Sequence, residues 1–70
     1  KMKKETFSVK GMMCAHCEAR VTNALSALDG VKSVKASAKK GEVTVKYEDD
    51  ALSSDTIRTA ITETGYEVLS

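Results

Sequence analysis

Residues 6–31 read TFSVKGMMCAHCEARVTNALSALDGV, and the spacing of apolar residues changes period near the middle of this stretch. Phe7 and Val9 alternate with polar residues, which predicts a short strand over Thr6–Lys10. From Cys14 onward the apolar positions recur every three or four residues, as on one face of a helix. These positions are Cys17, Val21, Ala24, Leu25 and Leu28. Gly30 is predicted to end this helix as its C-cap.

The next part of the chain predicts a hairpin of two strands. Val31–Ala38 has small apolar residues at alternate positions, which predicts a second strand. Val43, Val45 and Tyr47 alternate with polar residues and predict a third. The residues between them, 39–41, are Lys-Lys-Gly, a polar turn long enough to reverse the chain.

The last part predicts a second helix and a short closing strand. Ser53 or Ser54 is a suitable N-cap, with Asp55 favourable in the first helical turn. Gly65 is predicted to end this helix, and Tyr66–Leu69 to form the last strand. The inward stripe of the helix is predicted to be Ile57, Ala60 and Ile61.

The two halves of the chain repeat one pattern of apolar residues. Adding 36 to Phe7, Val9, Val21 and Leu25 gives Val43, Val45, Ile57 and Ile61. Two interleaved strand–helix–strand units predict an α+β, ferredoxin-like βαββαβ fold, with a four-stranded antiparallel sheet and two helices on one face. The 70 residues are predicted to form a single domain, 1–70.

Composition argues against several classes of function. The formal net charge is +1 and the aromatic residues are Phe7, Tyr47 and Tyr66, so neither a strongly basic domain nor a base-stacking platform is indicated, and no nucleic acid is expected as a partner. No apolar run approaches the roughly 20 residues of a membrane span, and no apolar leader segment is visible. We therefore expect a soluble protein of the cytoplasm.

Lysines cluster before and after the first predicted helix. Two interpretations remain open: a solvated face, or a docking patch for an acidic partner. The clustered residues are Lys1, Lys3, Lys4 and Lys10, then Lys32, Lys35, Lys39 and Lys40.

Cys14 and Cys17 are the two cysteines, and their spacing indicates chemistry more than structure. A disulfide across three residues would close a small loop and stabilise the fold little. At the start of a helix, unpaired N–H groups and the helix dipole favour the thiolate. Two thiolates suit a soft ion such as Cu(I), Ag(I) or Hg(II). A closed Zn(II) site would need four ligands, so zinc would require an added carboxylate.

The loop Gly11-Met12-Met13-Cys14-Ala15-His16-Cys17 resembles the metal-binding loop of the heavy-metal-associated domain family, of the bacterial copper chaperone type. The resemblance extends from Phe7 to Val68. It implies the same ferredoxin-like fold, with Cu(I) or a similar ion on Cys14 and Cys17. It also implies transfer of the ion to a partner such as a copper-transporting P-type ATPase, without enzymatic activity.

Four residues around the cysteines have open roles. Family members commonly carry Ser or Thr where this chain has Met13, which is either an exposed loop residue or a thioether ligand. Met12 is predicted to anchor the loop in the core, with a role as a ligand as the alternative. His16 either is solvated, or tunes the thiols or bridges two molecules. Tyr66 either covers the site, as the family implies, or packs in the core.

Other functions remain as alternatives. An N-terminal domain of a metal-transporting ATPase or a mercury-binding protein would use the same two cysteines. A thiol–disulfide oxidoreductase also uses such a pair, but this chain has neither Trp nor Pro. Because two thiolates leave room for outside ligands, a metal-bridged homodimer is a further expected state.

Overall fold

The computed structural model describes residues 1–69, and in it the chain alternates strands and helices in the predicted order. The strands are β1 Met2–Lys10, β2 Val31–Ser37, β3 Glu42–Glu48 and β4 Glu67–Val68; the helices are α1 Ala15–Ser26 and α2 Ser54–Glu63. The strands form one antiparallel sheet in the order β2-β3-β1-β4. The predicted α+β, ferredoxin-like fold is confirmed.

The hydrophobic core lies between the two helices and one face of the sheet. All eight residues related by the repeat are buried there, each no more than 4% exposed. Met12 and Tyr47 complete this cluster of buried side chains. Burying each large apolar side chain contributes roughly 1.5–3 kcal/mol, so these few residues supply much of the stability of so small a protein.

A carboxylate at the edge of the core ties two strands to the second helix. Glu5 of β1 accepts hydrogen bonds from the Tyr47 hydroxyl, at 2.8 Å, and from the Ser54 hydroxyl, at 2.7 Å. The bond from Ser54 is the main cause that lowers the pKa of Glu5. The adjacent Ser53 is the N-cap of α2, as predicted, and its hydroxyl accepts from the backbone N–H of Thr56.

The ends of three elements differ from the sequence-based predictions. β1 begins at Met2, because its first residues pair with the end of β3; since most of them are exposed, they carry no alternating pattern. The prediction of Gly30 as the C-cap of α1 is wrong, because the helix ends at Ser26 with Ala27 as its cap. β4 is shorter than predicted and leaves Tyr66 outside the strand.

Gly30 nevertheless has a structural reason, which lies in the turn that leads into β2. Its φ is +98°, and a Cβ atom there would lie 2.7 Å from Ala51 Cβ and 2.8 Å from Leu52 Cδ2. Its carbonyl also accepts from the N–H of Glu48 at 2.8 Å. Backbone conformation and close packing therefore both require glycine at this position.

We expect Gly30→Ala to lower the free energy of unfolding by about 2–6 kcal/mol, since backbone strain and overpacking each cost about 1–3 kcal/mol. Gly65→Ala is the matched control: Gly65 has a φ of +102° but open space around its Cβ position, so it should lose only the strain contribution. Urea denaturation followed by circular dichroism measures both. Equal losses in the two variants would contradict the packing argument.

Candidate metal site

The loop between β1 and α1 is attached to the core by one methionine and exposes the next. Met12 is 2% exposed and belongs to the core cluster, as predicted, whereas Met13 is 82% exposed. The chain enters this loop from Val9, whose N–H donates to the carbonyl of Gly41 at 2.8 Å. The loop is thus held at its base while its tip faces solvent.

The structure brings the two cysteine sulfurs together. Cys14 is the exposed N-cap of α1, and Cys17 lies half-buried in the first turn of that helix. The Sγ atoms are 3.5 Å apart and both cysteines are free. This separation is less than twice a typical metal–sulfur bond of about 2.3 Å, so one ion can contact both sulfurs.

The surroundings of Cys17 favour its thiolate form. A hydrogen bond from the Tyr66 side chain is the main cause that lowers the pKa of Cys17 from 9.0 to about 7, and backbone bonds of Met13 and Cys14 add to it. The same contact raises the pKa of Tyr66, because the phenol is held as a donor beside a negative sulfur. At neutral pH a large fraction of Cys17 is therefore available as a soft anionic ligand.

Tyr66 combines the two roles that the sequence left open. Its ring packs against the hydrophobic core. Its Cδ1 atom would lie 3.3 Å from a Cβ added to Gly11, the first residue of the loop Gly11–Cys14 between β1 and α1, named here the thiol loop. The Tyr66 side chain also lowers the pKa of the Cys17 thiol. The second half of the chain, which carries no thiol, thus contributes a hydroxyl to the site.

Arg20 lies over the ring of Tyr66, a contact that the sequence pattern did not predict. Its guanidinium lies 5.9 Å from the centre of the Tyr66 ring, and its Nη2 donates to the carbonyl of Thr64 at 3.0 Å. Arg20 follows Cys17 by three residues, and residues i and i+3 share a helix face. This spacing could have predicted that Arg20 lies near the site. The contact joins α1 to the end of α2 beside the thiols.

Glu18 makes a second connection that was missed. Its carboxylate accepts from the backbone N–H of Ala38 at 2.5 Å, and so joins the first turn of α1 to the turn after β2. An acidic residue in the first turn also interacts favourably with the helix dipole.

His16, between the cysteines, is exposed. Among residues 1–69, no helix is long and apolar enough to cross a membrane.

The contact between Tyr66 and Cys17 can be tested by titrating the metal-free, reduced protein. We expect thiolate ultraviolet absorbance from Cys17 to appear as the pH rises through about 7, and this midpoint to move up toward 9.0 in Tyr66→Phe. Tyr47→Phe is the control, because its hydroxyl bonds to Glu5 instead. An unchanged midpoint in Tyr66→Phe would show that the hydroxyl does not stabilise the thiolate.

Comparison with known proteins agrees with this geometry. Residues 6–67 match the heavy-metal-associated domain family. A copper chaperone CopZ of Staphylococcus aureus is 37% identical over 68 residues, which span 97% of this chain and all of that relative. Two solved structures share the fold: a CopZ metallochaperone (TM-score 0.94, 36% identity, covering 96% of this chain and 100% of the other), and a copper-binding domain of HMA7, a P-type ATPase (TM-score 0.90, 26% identity, covering 96% and 93%). The chain belongs to the heavy-metal-associated domain family.

Proposed function

We propose that this protein is a cytoplasmic copper carrier that binds one Cu(I) ion through Cys14 and Cys17 and passes it to an acceptor protein. The observation that carries the proposal is the pair of sulfurs 3.5 Å apart at the start of a helix. The similarity to copper chaperones over nearly the whole chain supports copper as the cargo. In this proposal the chain, residues 1–70, acts as a single domain and not as an enzyme.

The chemistry of the donors supports a soft monovalent ion. Thiolate is a soft ligand, and Cu(I) accepts a site with few ligands, whereas a structural Zn(II) site is normally closed by four. Ag(I) and Hg(II) are chemically close to Cu(I), so they are expected to bind at the same place and serve as probes. The same donors would hold the cargo of a mercury-binding protein.

The unequal exposure of the two sulfurs supports stepwise transfer. Cys14 is exposed at the loop tip, so an incoming thiolate of an acceptor can reach an ion there and form a three-sulfur intermediate. The Cys14–metal bond then breaks first, and Cys14 takes up a proton as the acceptor thiol loses one. Cys17, held by Tyr66 and by backbone groups, releases the ion last. A second copy of the chain can enter in the same way, which gives a metal-bridged homodimer.

A metal-binding domain of a copper-transporting P-type ATPase is the proposed acceptor. The copper-binding domain of HMA7 has the same fold as this chain, so donor and acceptor sites of similar geometry can exchange an ion with little change in ligand type. The same likeness keeps open the alternative that this chain is itself such a domain. The ferredoxin-like fold gives no support to the thioredoxin-type oxidoreductase.

Anaerobic titration with Cu(I) against a competing chelator should saturate at one ion per monomer. Cys14→Ser or Cys17→Ser should weaken binding by more than roughly a hundredfold, because even outer-shell changes cost up to that much at metal sites. Met13→Ser is the control, since its side chain is exposed and replaceable unless its thioether is a ligand. Undiminished binding in the double serine variant would refute the site; a large loss in Met13→Ser would add a third ligand.

Copper should pass to the acceptor by direct exchange between bound proteins and not through free copper in solution. When the Cu(I)-loaded protein is mixed with a metal-free ATPase domain, copper should redistribute within the mixing time and without release to a chelator that cannot enter the complex. Ag(I) loading provides a redox-inactive control. Copper that reaches the acceptor only at the rate of dissociation into solvent would contradict direct exchange.

A further inference from the structure

The sheet face that points away from the helices, named here the outer sheet face, carries a positively charged groove. Its shallow groove of about 510 Å³ is lined by Lys4, Lys35, Lys40 and Lys46, with serines, threonines and one carboxylate, Glu42. All four lysines are exposed. None of them forms an ion pair within the part of the chain that the structure describes.

The register of the sheet places these charges close together. Lys4 of β1 lies directly opposite Lys46 of β3, and like charges in such a pair are destabilising. Lys35 of β2 lies opposite Thr44, two residues before Lys46, so positive charge continues across all three strands. The groove holds one carboxylate, Glu42 of β3, against four ammonium groups, so a negatively charged partner would relieve the remaining repulsion.

We infer that the outer sheet face docks on the surface of membranes that contain anionic phospholipids. The groove offers four ammonium groups against one carboxylate, without Arg or aromatic side chains, across three of the four strands. Stable protein interfaces are centred on Tyr, Trp or Arg, and single-stranded nucleic acid requires stacking platforms; the face provides neither. An anionic bilayer needs no such anchors, because its mobile headgroups adjust to the spacing of the lysines.

The position of the thiol loop is compatible with this docking. The turn that carries Lys40 adjoins the end of β1, because the N–H of Val9 bonds to Gly41, and the loop starts two residues later. The thiol loop therefore leaves the sheet at the same end as this turn, while α1 and α2 cover the opposite face. The metal-free protein should dock on the bilayer as well, so docking is independent of the proposed copper transfer.

Flotation of the reduced, metal-free protein with vesicles tests the inference. The protein should bind vesicles of phosphatidylcholine mixed with phosphatidylglycerol at low salt, release at high salt as charges are screened, and ignore pure phosphatidylcholine. Lys4→Gln/Lys35→Gln/Lys46→Gln should weaken binding at least tenfold, since each lysine near an anionic surface contributes about fivefold. The control with the same charge is Lys3→Gln/Lys32→Gln/Lys39→Gln, three exposed lysines outside the groove.

The inference is overturned if both triple variants lose binding equally, or if the wild-type protein does not distinguish the two vesicle types. It is also overturned if duplex DNA or polyglutamate binds through the same three lysines more tightly than the anionic vesicles do; the face would then belong to that partner. Circular dichroism checks that the variants fold, which is expected because the change removes the repulsion between Lys4 and Lys46.

Discussion

Met12 joins the thiol loop to the hydrophobic core, and the geometry of the site depends on that attachment. A chain of 70 residues builds only a thin core, so a loop cannot be held by surrounding layers of protein. Between Met12 and Met13 the chain passes from 2% to 82% exposure. This abrupt passage leaves Cys14 at the surface and starts α1 with its unpaired N–H groups beside the sulfurs.

The two halves of the fold contribute different parts of the site. The first half supplies both thiols, and the second supplies Tyr66, which lowers the pKa of Cys17. Arg20 bridges the halves through the Tyr66 ring and the carbonyl of Thr64. A backbone plan that is nearly repeated therefore carries a site that is not repeated. The environment of Cys17 consequently depends on how the two helices pack against each other.

The sequence predicted the core and the thiols because both follow simple periodic rules. The eight apolar residues related by the repeat are all buried, and a spacing of three residues brings Cys14 and Cys17 together. The start of β1 was missed because its exposed residues obey no such rule. The roles of Arg20 and Glu18 depend on contacts with residues 44 and 20 positions away, which no local pattern records.

Lysine and arginine are divided between the two layers of the structure, and the division matches their chemistry. Both arginines lie on helices and make directed contacts: Arg20 with Thr64 and Tyr66, Arg58 with Asp55 and the Phe7 ring. The lysines lie at the N-terminus, on the strands and in the turn between β2 and β3. A guanidinium forms fixed, planar bonds, whereas an ammonium is a mobile point charge. In the helical layer Arg20 therefore contacts Tyr66 beside the thiols, while the lysines of the outer sheet face create a positive field. A net charge of +1 conceals this asymmetry, which becomes visible only when strand alternation separates the two faces.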